Sequence, residues 1–157
     1  MCINKRIKWK YLSFLIMQHP LTCIVSDPNG SGESVFTLTL IEHAEQVITP
    51  PTKRIIYCYG EYQKVFDNYS IVEFHDALPA LNDFDGKSRT LLLLDDLMTS
   101  TDDRVVDLFT KISHHRNVSV VYLTQNIFYK KQTIENAKFK LTLLDLVQKC
   151  SRCITSG

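Results

Sequence analysis

The chain reads as an α/β protein with a mostly parallel central sheet and helices on both faces. Three observations predict this class. Short apolar runs at 21–26, 54–59, 90–94 and 118–123 have strand length rather than helix length. Between them stand segments of helical length or spacing, such as 33–47 and 101–112, and strands alternating with helices imply a parallel sheet. Finally, Leu91 to Leu94 are apolar at every position, as in a central strand with both faces covered.

Length and composition set the frame. With 157 residues, 45% hydrophobic and 22% charged, the chain suits one globular domain with its own core. It divides into a basic and apolar N-terminal extension at 1–17, a domain at 18–146 and a polar tail at 147–157. The formal charge of +1 supplies no global field for nucleic acid, so any such binding must come from local patches.

The opening, Lys5 to Lys10 followed by Tyr11 to Met17, imitates a signal peptide, but Gln18-His19-Pro20 stops it and no small-residue cleavage site follows. No run reaches the roughly 18 apolar residues of a membrane span, so a soluble, intracellular protein is expected. Five cysteines are an odd number, and Cys23 and Cys58 sit in apolar runs as small hydrophobes, which fits a reducing compartment. Cys150 and Cys153 have the spacing of a zinc half-site, but no second pair completes four ligands.

In chain order, Leu21 to Ser26 is a short buried strand followed by the small-residue turn at 27–32. The next segment is ambiguous. Phe36, Leu38 and Leu40 alternate as in a strand, yet the segment has helical length, which predicts a helix over about 33–47. Pro50 and Pro51 break it. Arg54 to Tyr59 is a second strand closed by Gly60, Ile71 to Phe74 a brief alternating one, and Asp76 a candidate cap for a short helix toward Leu81. After the turn at 83–86, the Leu strand runs into Asp95 and Asp96. Thr101 then caps a helix in which Val105, Leu108, Phe109 and Ile112 share one face. His114 to Asn117 end it, Val118 to Leu123 form another strand, and a helix near 130–138 precedes a last strand at 139–144.

In such folds ligands gather at the carboxyl ends of the strands. Three ends carry polar groups: the turn leading to Ser34, then Asp95 and Asp96, then Thr124 and Gln125. The turn follows a strand and opens a helix, the layout of a phosphate-cradling loop. Over residues 27–34 the pattern G-x-x-x-x-G-K-[ST] finds Gly32 and Ser34 in place, but Asp27 stands for the first Gly and Glu33 for the Lys. The set fits phosphoryl transfer: backbone N–H groups at 29–34 for phosphate oxygens, Ser34 and Asp95 for Mg²⁺, Asp96 to orient water, Gln125 to sense the γ-phosphate. Its plain alternatives are a Gly-rich turn between buried elements and polar strand ends solvated at the sheet rim.

Gln18 to Pro20, the altered phosphate loop, Arg54 to Gly60, Leu91 to Met98 and Ser113 to Asn126 together resemble the genome-packaging ATPases of large DNA viruses. They resemble still more closely the packaging-type ATPases of Maverick/Polinton transposons and adintoviruses. The similarity spans about residues 18–130. It implies a RecA-like P-loop NTPase fold of the FtsK-HerA kind, an ATP and Mg²⁺ requirement, a homo-oligomeric ring and translocation of double-stranded DNA. Capsid or portal proteins would be further partners, and a viral copy would be virion-associated.

By the same resemblance Asn29, Gly30, Ser31, Gly32, Glu33 and Ser34 occupy the nucleotide-binding loop and Ser34 and Asp95 the metal positions. Asp96 and Gln125 take catalytic and sensor positions, and Arg116 acts across a subunit boundary. Beyond about residue 138 the family's terminal strands are not recognisable, which implies a truncated or foreign C-terminus.

Two departures bear on activity. Glu33 replaces attraction to the triphosphate by repulsion, at about 4 kcal/mol per unit-charge pair for about 4 Å and an effective dielectric near 20. Asp27 adds a second negative charge and a Cβ where the family has Gly. Each replacement can arise by one base change, as in a decaying transposon copy. The sequence therefore predicts weak or absent hydrolysis, and leaves open a P-loop-fold relic or a protein-binding module without turnover.

Overall fold

The structure, a computed structural model, describes residues 16–26, 33–95, 97, 111, 115–124 and 139–142. Its strands are β1 (Met17–Gln18), β2 (Thr22–Ser26), β3 (Ile48–Thr49), β4 (Arg54–Tyr59), β5 (Val72–His75), β6 (Thr90–Asp95), β7 (Val118–Thr124) and β8 (Phe139–Thr142). Two helices, α1 (Glu33–Glu42) and α2 (Ala44–Val47), stand between β2 and β3. The chain is α/β, and its six-stranded sheet has the order β5-β4-β6-β7-β2-β8 with every neighbouring pair parallel.

The ambiguous segment after the turn is helical because its buried residues keep a spacing of three to four. Phe36, Leu40, Ile41, Ala44 and Val47 all face the core. The helix breaks once, at His43, whose ring Nδ1 bonds the Thr39 carbonyl and whose N–H donates to Leu40. A side chain thus satisfies a carbonyl at the helix end. Instead of a single element over 33–47, α1 is followed by the one-turn α2 and the short strand β3. β3 pairs with β1 through Met17 and Ile48, so among the described residues the core already includes Met17, inside the 1–17 extension the sequence predicts.

Alternation along the strands sorts the core into two clusters, one per sheet face. On one face Cys23, Val25, Tyr57, Leu91, Leu93, Val121 and Leu123 pack under α1 and α2. On the other, Ile24, Ile56, Cys58, Leu92, Leu94, Val120 and Tyr122 meet Phe84, Leu78 and Leu97. The helices predicted at 101–112 and 130–138 lie outside the described residues. Burial pushes the thiols of Cys23 and Cys58 up to about 12, consistent with packing rather than reactivity. Cys2, Cys150 and Cys153 lie outside the described residues.

One expectation fails at Asp76, which caps no helix. Pro79 disfavours helical backbone at Leu78, and the chain continues without regular structure to a single 3-10 turn at Leu81–Asp83. There Asp83, at the third position of the turn, reaches back to accept the Ala80 N–H at 2.9 Å.

The amino edge of the sheet is tied by a polar relay. Leu21 N–H donates to Ser119 Oγ (3.2 Å), which lies 2.6 Å from His19 Nδ1, while His19 Nε2 lies 2.9 Å from Asn117 Oδ1. Asn117 Oδ1 only accepts, which places the imidazole proton on Nε2 and leaves Nδ1 to accept the Ser119 hydroxyl. Asn117 takes a positive φ of 59°, which asparagine tolerates, and its carbonyl accepts the Thr90 N–H.

Burial holds the His19 pKa below its ordinary 6.5, opposed by the Asn117 hydrogen bond and reinforced by the nearby Arg89 charge. A lowered histidine pKa means the unfolded chain takes up a proton that the folded chain resists. Stability from this group is therefore complete above pH 6.5 and lost as pH falls through the folded-state value. Urea midpoints should drop between pH 7.5 and pH 5.5, with a slope of at most about 1.4 kcal/mol per pH unit from this residue. His19→Gln should flatten the profile, and an unchanged slope in that variant would refute the assignment.

Candidate functional site

The carboxyl edge of the sheet gathers the ends of three adjacent columns. Ser26 at the end of β2 stands opposite Thr124 at the end of β7, and Asp95 at the end of β6 stands opposite Leu123. Strands lie about 4.8 Å apart, so the β2 and β6 ends, with β7 between them, are about 10 Å apart. In the chain these ends are followed by residues 27–32, Gln125 and Asp96.

Among the predicted residues, Asn29, Gly30, Ser31, Gly32, Asp96 and Gln125 lie outside the described residues. Glu33 and Ser34 are described in backbone only, as the first two residues of α1. A strand and a helix thus flank residues 27–32, with β2 ending at Ser26 and α1 opening at Glu33. This puts backbone N–H groups and the positive end of the helix dipole after the turn, where an anion is favoured.

Asp95 is half-buried at the rim, and its Oδ2 accepts the Tyr57 hydroxyl at 2.6 Å. In the β4–β6 register Tyr57 faces Leu93 and Tyr59 faces Asp95, so this contact is diagonal along one face. It is the face that carries α1, because Tyr57, Leu93, Phe36 and Leu40 share one core cluster. The sequence reading did not single out Tyr57. A fully buried tyrosine requires a hydroxyl partner, but only the adjacency of β4 and β6 identifies that partner as Asp95.

Arg116 stands apart from this group. It precedes β7 at the amino edge, and its guanidinium NH1 donates to the Phe84 carbonyl at 2.7 Å. The seven-residue β7 spans roughly 20 Å at about 3.3 Å per residue, so Arg116 does not reach the carboxyl edge of its own chain.

For a divalent cation the donor types suit Mg²⁺, since Asp95 and Ser34 offer oxygen only. Among the described residues no group of three or more His, Cys, Asp or Glu forms a self-sufficient metal cluster. A metal here would depend on water and phosphate oxygens for its remaining ligands. A triphosphate fits less well, because Glu33 brings negative charge to the loop. Also among the described residues, no helix is long and apolar enough to cross a membrane. No protein-family model matches the chain, and no curated protein matches it.

Proposed function

We propose that this chain is a RecA-like P-loop domain of the packaging-ATPase kind, with its nucleotide site at the carboxyl edge of the sheet and its phosphate loop impaired by Asp27 and Glu33. The observation that carries the reading is the parallel register that aligns Ser26, Thr124 and Asp95 on one edge. The strand order adds support. The connection leaving β2 runs toward β4, whereas the one leaving β7 passes β2 to reach β8, and open α/β sheets bind ligands where such connections reverse direction.

In this reading Asp95 and Ser34 hold Mg²⁺, Asp96 orients water, Gln125 senses the γ-phosphate, and backbone N–H groups over 29–34 meet phosphate oxygens. Bound Mg-ATP would supply the phosphoryl group whose hydrolysis drives movement along double-stranded DNA. Arg116 enters only from a neighbouring subunit of a homo-oligomeric ring, because its own chain holds it at the opposite edge. Glu33 at the head of α1 favours a second reading on the same fold, a relic or protein-binding module without turnover.

Sizing by light scattering, with and without a DNA duplex, separates the two. A motor subunit gives a ring-sized species whose DNA affinity falls steeply with salt, because phosphate contacts release counterions. A monomer indifferent to DNA would exclude the motor and leave the module.

A further inference from the structure

We propose that Tyr57 is a positioning residue for Asp95, holding its carboxylate in the orientation from which it serves a divalent cation at the carboxyl edge; this rests on the nucleotide-site reading above. Tyr57 lies in the middle of β4, fully buried, among residues that otherwise serve only the core. Its hydroxyl reaches past Leu93, the residue directly opposite, to the carboxylate two positions further along β6. At 2.6 Å the contact has the length of a charge-assisted O–H···O⁻ bond.

The hydroxyl is placed independently of Asp95. The Tyr57 ring is tilted against Phe66 at 5.1 Å and Phe74 at 5.5 Å, and those two rings stack at 4.6 Å. Phe66 is anchored by the 3-10 turn at Lys64–Asn68 and Phe74 by β5. Three aromatic rings from three elements thus fix a donor beside the Asp95 carboxylate. A fixed donor on the carboxylate favours one orientation of it before any ligand arrives. Hydrogen-bonded partners of metal-ligating carboxylates act in this way.

A purely structural alternative is that the bond only satisfies a buried phenol. Tyr57→Phe tells the two apart, because it removes the hydroxyl and keeps the ring packing. The parent for the test is the full chain carrying Asp27→Gly and Glu33→Lys, titrated with a fluorescent ATP analogue in EDTA and across a Mg²⁺ series. Tyr57→Phe should leave the affinity in EDTA within about twofold, since metal-free binding uses the loop. It should raise the Mg²⁺ concentration for half-maximal tightening about tenfold. Asp95→Asn, as reference, should abolish the tightening. Equal Mg²⁺ dependence in parent and Tyr57→Phe would overturn the Tyr57 assignment and leave the site reading intact. A parent that binds no nucleotide would overturn the site reading, and the assignment with it.

Discussion

The unaltered chain is expected to hydrolyse ATP at background, and Asp27→Gly with Glu33→Lys to raise turnover well above it. Glu33 is the first residue of α1 and stands where the phosphate-loop pattern has its Lys. Exchanging it for lysine reverses the sign of an interaction worth about 4 kcal/mol per charge pair at close range, before solvent screening. Asp27→Gly removes a second negative charge and restores the backbone freedom of the first loop position. Adding Asp96→Asn to the restored chain should then abolish turnover while leaving nucleotide binding in place, because the amide cannot accept the proton of the attacking water. Steady-state phosphate release on the three proteins checks the series. Robust hydrolysis by the unaltered chain would refute the impaired-loop reading.

The largest expected effect on stability is at the centre of the sheet. Leu93 is fully buried, and its strand is flanked by β4 and β7 and capped on that face by α1. Leu93→Ala should cost about 2–5 kcal/mol, the range for a buried leucine that leaves a cavity. That is a large share of the roughly 5–15 kcal/mol that holds a domain folded. Ile71→Ala, at a side chain 73% exposed, should shift stability by less than about 0.5 kcal/mol. Urea unfolding of both variants checks the contrast, and similar midpoints would contradict the burial assigned to β6.

The strands were the most legible part of the chain, for a physical reason. A central parallel strand is apolar on both faces, so Leu91 to Leu94 and Val118 to Leu123 announce themselves without any knowledge of their neighbours. The β8 strand at Phe139–Thr142 also falls within its predicted span. Less legible was the end of the helix after the turn. The break at His43 depends on a ring nitrogen bonding the Thr39 carbonyl, and nothing in the periodicity encodes it.

Polar strand ends at Asp95 and Thr124 were readable one at a time, but their alignment with Ser26 depends on strand order. The same holds for Tyr57, whose partner is set by β4 lying next to β6 although about 30 residues separate them in the chain. Arg116 shows the converse. Its block suggests a place in the nucleotide site, yet the fold sends it to the amino edge, away from the three aligned ends. Resemblance in sequence locates a residue in a motif, whereas its edge of the sheet is fixed by which end of the strand it occupies.

Calorimetric titration of Mg-ATP into the unaltered chain and into the chain carrying Asp27→Gly and Glu33→Lys tests the nucleotide site most directly. Binding at least about tenfold tighter in the restored chain, a difference of about 1.4 kcal/mol or more, is the expected result. Its loss on Asp95→Asn, with the fold intact by circular dichroism, would tie that affinity to the carboxyl edge. A restored chain that is folded yet takes up no more nucleotide than the unaltered one would contradict the placement of a nucleotide site there.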